Sequence, residues 1–124
     1  MNRTSRHSQA IQQAYQYCHD LTKTAARNFY FAFITLPFER RNAIYSIYAF
    51  CRTCDDVADG TDSITARGEG MAKIRNDLVS AYAGNPQGPI FVALADTVDR
   101  YSIPKYLFEE IISGVEMDLR INRY

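Results

Sequence analysis

Tyr45-Ser-Ile-Tyr-Ala-Phe-Cys-Arg-Thr-Cys-Asp-Asp-Val-Ala-Asp59 is the stretch that decides how this chain is read. It has the pattern of the C-terminal half of a helix. Tyr48, Arg52, Asp55 and Asp59 follow one another at intervals of four, three and four, so they share one face. Ile44, Ile47, Cys51 and Cys54 fill the adjoining apolar stripe. Gly60 supplies a stop signal. Asp55, Asp56 and Asp59 therefore crowd the last turn, where the helix dipole disfavours negative charge by about 0.3–1 kcal/mol each. They also repel one another. A sequence selected for stability alone does not gather charge this way, and local violations of that kind mark functional sites.

A cation would relieve the crowding. Carboxylates at i and i+4 bring their Cβ atoms to about 5–6 Å, close enough to grip one or two metal ions. Oxygen-only donors select hard cations, Mg²⁺ above all, which keeps several waters and takes its remaining ligands from a substrate phosphate. Arg52, one turn back, suits a phosphate oxygen. The competing reading is a solvated acidic helix end, the commoner meaning of an acidic cluster. The aromatic and apolar lead-in argues instead for the wall of a cavity.

Tyr48-Ala-Phe-Cys-Arg-x-x-Asp-Asp-x-x-Asp59 resembles the first aspartate-rich motif of the squalene/phytoene synthase family. Asn28-Phe-Tyr-Phe-Ala-Phe-Ile-Thr-Leu-Pro37, followed by Arg40-Arg-Asn-Ala-Ile44, is similar to that family's approach to the motif. Tyr101-Ser-Ile-Pro104, Phe108 and Ile112-Ser-Gly-Val-Glu-Met-Asp-Leu119 resemble its next block. The likeness runs from about Ala14 to Tyr124. Asp-Asp-x-x-Asp alone is a weak motif, shared by many prenyl-diphosphate enzymes; three blocks in order are a strong one.

The length of 124 residues suffices for one domain with a real core, and a hydrophobic fraction of 47% is far above that of disordered chains. The formal net charge of zero gives no nucleic-acid footprint. The three cysteines, an odd number, fit a reducing cytoplasm better than a disulfide framework. Cys51 and Cys54 form a lone Cys-x-x-Cys inside a helical stripe, for which packing is a better reading than zinc or redox chemistry. Met1 to His7 has no apolar core and is not a secretory signal. Phe29 to Phe38 is too short to span a bilayer. A soluble or peripherally attached protein is expected, cytoplasmic or at the inner face of the membrane.

Taken in order, a first helix is expected from Ser8 to Thr24, with Ile11, Ala14, Tyr15, Cys18 and Leu21 inward. His19 lies beside that stripe, where a lone histidine is more often structural than catalytic. Asn28 to Leu36 reads as strand by aromatic content and as a short helix by resemblance. Pro37 ends it. The central helix is expected from Phe38 to Asp59. The next runs from Ile64 to Ala83 behind the candidate cap Ser63, with Met71, Ile74, Leu78, Val79 and Tyr82 inward. Gly84-Asn-Pro-Gln-Gly-Pro89 is a loop. A short helix from Ile90 to Tyr101 presents Phe91, Leu94, Ala95 and Val98. The last starts at Pro104 and presents Phe108, Ile111, Ile112, Val115 and Leu119. The class is all-α, and the resemblance implies the N-terminal part of an isoprenoid-synthase bundle, a single incomplete domain over residues 1–124.

The resemblance implies an enzyme that condenses two prenyl diphosphates, farnesyl or geranylgeranyl, head to head into presqualene diphosphate, squalene or phytoene, with release of diphosphate. Asp55 and Asp59 would hold Mg²⁺, with Asp56 in support. Arg52 would contact diphosphate, and Tyr48 would line the site near the reacting carbons. Asn28, Phe29 and Tyr30 fall where the family forms a flap over the diphosphate, and Asp118 falls near its pocket. A packed core position is the competing reading for Tyr48, Phe29 and Tyr30, and a surface acid beside Arg120 for Asp118.

Ala25-Ala26 replaces a polar pair common ahead of the flap. Nothing between Gly60 and Tyr124 matches the family's second aspartate-rich motif; Asp99, Glu109 and Glu110 have neither its spacing nor its neighbours. An N-terminal portion of a synthase is therefore expected, inactive alone, with an apolar face open to self-association or to a C-terminal partner chain. The alternatives are a catalytically silent helical module and a terpene cyclase or chain-elongating prenyltransferase. A silent relative is expected to lose the aspartates, which are kept here. The cyclases and elongating enzymes share Asp-Asp-x-x-Asp but lack the Tyr-Ala-Phe-Cys-Arg approach.

Overall fold

The computed structural model describes residues 2–25, 36–60 and 63–121, with side chains described over 8–23, 36–60 and 63–117. Among these the chain forms helices α1 (Asn2–Ala25), α2 (Phe38–Ala58), α3 (Ile64–Tyr82), α4 (Gly88–Tyr101) and α5 (Lys105–Ile121), with no strand. The expected short helix over 28–36 falls almost wholly outside the described residues.

Helix boundaries follow local chemistry. Pro37, at φ −54° and ψ 147°, is the N-cap of α2, and Asp59 is its C-cap. Ser63 Oγ accepts from the Ala66 amide at 3.1 Å and starts α3, as its sequence position suggests. Gly84, at φ +90°, carries the chain out of α3, a conformation glycine adopts without a Cβ penalty. Pro89 lies in the first turn of α4, where its missing N–H costs nothing. α1 begins at Asn2 rather than Ser8. Ser8 is therefore not a cap: its hydroxyl has no helix end to satisfy.

α2 is the central element and packs against α1, α3, α4 and α5. Phe50 and Cys54 from α2 meet Met71, Ile74 and Leu78 of α3, Phe91 and Leu94 of α4, and Phe108 and Ile112 of α5. Phe50 sits edge-on to both Phe91 and Phe108, at centroid distances of 6.0 and 5.3 Å, an arrangement favoured by the ring quadrupoles. A second cluster joins Ala14, Tyr15 and Cys18 of α1 to Tyr45 and Ala49 of α2 and Ala93 of α4. Cys54 and Cys18 are fully buried, so they pack as small apolar groups, as expected of the stripe.

A polar seam crosses this second cluster. Tyr15 Oη donates to Asp96 Oδ2 at 2.7 Å and lies 3.0 Å from Thr97 Oγ1, which in turn lies 2.8 Å from Ser46 Oγ. Buried hydroxyls thus satisfy one another where helices α1, α2 and α4 meet. One expectation fails on the apolar faces. Val79 is 51% exposed, because Leu78 and Ala81 take the inward positions on that arc of α3. Thr97 and Ser46 are buried although hydrophobic periodicity passes over them.

Candidate active site

The C-terminal half of α2 divides cleanly by face. Ala49, Phe50, Cys54 and Ala58 point into the bundle and are buried. On the other face Tyr48 is half-buried, and Arg52, Asp55, Asp56 and Asp59 are exposed. Packing anchors one side of the helix so that the four-three-four set stands together on the other. Asp59 ends the helix, and its amide donates to the Asp55 carbonyl at 2.8 Å. That bond stacks the two residues one turn apart.

The three carboxylates are not equivalent. Arg52 Nε lies 3.1 Å from Asp56 Oδ1, an exposed pair one turn apart. Asp55 and Asp59 enter no ion pair among the described residues. The last turn of α2 carries no basic residue of its own. The field of Asp55 reaches its neighbour: burial first, then the Asp55 charge, push the Cys51 thiol above its ordinary range. Two oxygen donors with an open side suit a hard cation that completes its shell with water and phosphate. No group of three or more His, Cys, Asp or Glu poised for a metal occurs among the described residues, so any such ion would take only part of its shell from this face.

The structure brings Tyr48, Arg52, Asp55, Asp56 and Asp59 onto one exposed helix end. Asn28, Phe29 and Tyr30 lie outside the described residues, and Asp118 lies on α5 with its side chain outside them. A cavity of about 370 Å³, lined by Gln12, His19, Arg41, Asn42 and Tyr45, sits at the other end of α2 and includes none of the predicted residues. A cavity of about 330 Å³ opens between α2 and α3, lined by Asp56, Val57, Arg67 and Gly70 among others. There Arg67 Nη1 donates to the Ala58 carbonyl at 3.2 Å. Sequence reasoning missed Arg67, since only the packing of α3 on α2 brings it to the acidic helix end.

The all-α bundle defines the class by its fold, and the solved structures it resembles share that fold. The chain overlays squalene synthase HpnC from Alicyclobacillus acidocaldarius with a TM-score of 0.81 and 29% identity, covering 89% of this chain and 41% of that one. It overlays a dehydrosqualene synthase solved in complex with a ligand at a TM-score of 0.80 and 27% identity, covering 92% of this chain and 39% of that one. Residues 22–124 match the squalene/phytoene synthase family model, and the chain belongs to that family. It is 33% identical over 115 residues to 15-cis-phytoene synthase of Synechocystis sp., and 38% identical over 109 residues to phytoene synthase of Mycobacterium tuberculosis. These alignments cover 93% and 88% of this chain but only 34% and 35% of the two relatives, so the chain spans about a third of their length.

Proposed function

We propose that the protein serves the head-to-head condensation of two prenyl diphosphates, farnesyl or geranylgeranyl, to presqualene diphosphate and squalene or to phytoene, with release of diphosphate. One observation carries the reading: Asp55 and Asp59 stand one turn apart at a helix end, exposed and without a cationic partner among the described residues. Likeness to phytoene synthases and squalene synthases supports the reaction class. Mg²⁺ bound there would neutralise the diphosphate and make it a competent leaving group.

The chain's own residues do the rest. Asp55 and Asp59 supply oxygen donors, and Asp56 holds Arg52 on the same face, from which its guanidinium would meet a diphosphate oxygen. Tyr48 lies one turn back from Arg52 on α2, at the border between the polar end and the apolar stripe of Ile44 and Cys51. That is where an allylic carbon would lie if the diphosphate sat on the aspartates, and a tyrosine ring there stabilises positive charge on the carbon. Asn28, Phe29 and Tyr30 would close over the diphosphate, and Asp118 would approach it from α5. No helix among the described residues is long and apolar enough to cross a membrane.

A second reading, a silent module or half-enzyme that works with a second copy or a C-terminal partner chain, is favoured by α5, which exposes Tyr106, Leu107 and Met117. The deciding experiment is a thermal shift with Mg²⁺ and a non-hydrolysable farnesyl diphosphate analogue. A ligand that binds only the folded state raises the melting temperature. The rise is expected in the native chain and not in Asp55→Asn; equal rises in both would remove Asp55 from the site.

A further inference from the structure

Gly70 lets α3 approach the end of α2. A Cβ at position 70 would lie 2.6 Å from Val57 Cγ1, closer than real contacts allow. One turn earlier on α3, Arg67 spans the same gap and donates from Nη1 to the Ala58 carbonyl at 3.2 Å. That carbonyl is one of the last four in α2, which have no partner inside the helix. Arg67 forms no ion pair among the described residues, so no carboxylate there neutralises it. A cation from the neighbouring helix thus stands where α2 has none of its own.

We propose that Arg67 is a positioning residue for the Asp55–Asp59 pair, capping α2 from α3 so that its last turn stays closed. The proposal rests on the reading of Asp55 and Asp59 as a Mg²⁺-diphosphate site. Asp59 keeps its place through one backbone bond, from its amide to the Asp55 carbonyl at 2.8 Å. Fraying of the last turn breaks that bond and separates the carboxylates. The Arg67 charge also offsets the dipole and the acidic cluster, and it favours an incoming anion such as diphosphate, so both effects act in one direction. A cap that served stability alone would leave ligand affinity untouched.

The test uses the 124-residue chain as Arg67→Gln, Arg67→Lys, Gly70→Ala and Asp59→Asn. Two quantities are read: hydrogen exchange at the Asp59 amide, and calorimetric affinity for inorganic diphosphate in the presence of Mg²⁺. Arg67→Gln should speed exchange at Asp59 and weaken diphosphate binding about two- to fivefold. Arg67→Lys, which keeps the charge and a donor, should recover most of the affinity. Gly70→Ala leaves Arg67 present but pushes α3 away, and should speed the same amide even if Arg67→Gln fails to fold. Asp59→Asn should abolish binding. Wild-type exchange and affinity in Arg67→Gln, with binding still lost in Asp59→Asn, would overturn the proposal alone. Undiminished binding in Asp59→Asn would overturn the site reading and the proposal together.

Discussion

Arg52 Nε lies 3.1 Å from Asp56 Oδ1, and the two exposed side chains pair along one turn of α2. Asp56 is thereby set apart from Asp55 and Asp59. An exposed pair of this spacing is worth about 0.3–0.5 kcal/mol. Asp56→Ala should shift urea-denaturation stability by no more than about 0.5 kcal/mol. It should also reduce affinity for diphosphate with Mg²⁺ far less than Asp55→Asn does. An equal loss in both variants would make Asp56 a full ligand rather than a partner of Arg52.

Gly70→Ala would stabilise an exposed helix by up to about 1 kcal/mol, since alanine is the better helix former. Here it should destabilise, because its Cβ meets Val57 Cγ1 at 2.6 Å. Val57→Ala in the same chain should restore part of the loss, a coupling that a double-mutant cycle measures directly. Additive effects would show that α3 does not press on α2 at this point.

The buried thiols give the chain an alkaline limit. Burial pushes Cys18 and Cys54 from the ordinary 9.0 up to about 12. The folded chain then keeps these protons across a range in which the unfolded chain releases them. Their contribution to stability is constant below about pH 9 and is lost as pH rises from there towards the folded value. The slope is at most about 1.4 kcal/mol per pH unit for each thiol. Burial raises Tyr15 too, and it acts in the same direction at higher pH. Denaturation curves across that window should lose part of their slope in Cys54→Ala. An unchanged slope would remove this thiol as a cause.

Most of the fold was legible because its punctuation is local. Pro37 and Gly60 bracket α2, Ser63 caps α3, and Gly84 to Gln87 separates α3 from α4, which takes Gly88 and Pro89 of the expected loop into its first turn, each by a backbone preference that needs no tertiary partner. Ser8 misled because a cap residue in mid-helix looks the same in sequence as one at a start. Val79 misled because valine sits at the edge of the apolar arc, where packing of α3 alone decides which side turns in. The candidate site's geometry was legible in part. Asp55, Asp59 and Arg52 share a face by spacing, but the pairing of Asp56 with Arg52, while Asp55 and Asp59 enter no ion pair among the described residues, depends on rotamers. Arg67 was invisible, since its target is the backbone of Ala58, nine residues away and on another helix.

The central claim is that Asp55 and Asp59 hold a divalent cation together with diphosphate. Substoichiometric Mn²⁺ with diphosphate, added to the ¹⁵N-labelled chain, broadens the amide resonances nearest the ion. The account predicts broadening centred on residues 52–60 that disappears in Asp55→Asn and in Asp59→Asn. Broadening centred elsewhere, or unchanged by either substitution, would contradict it.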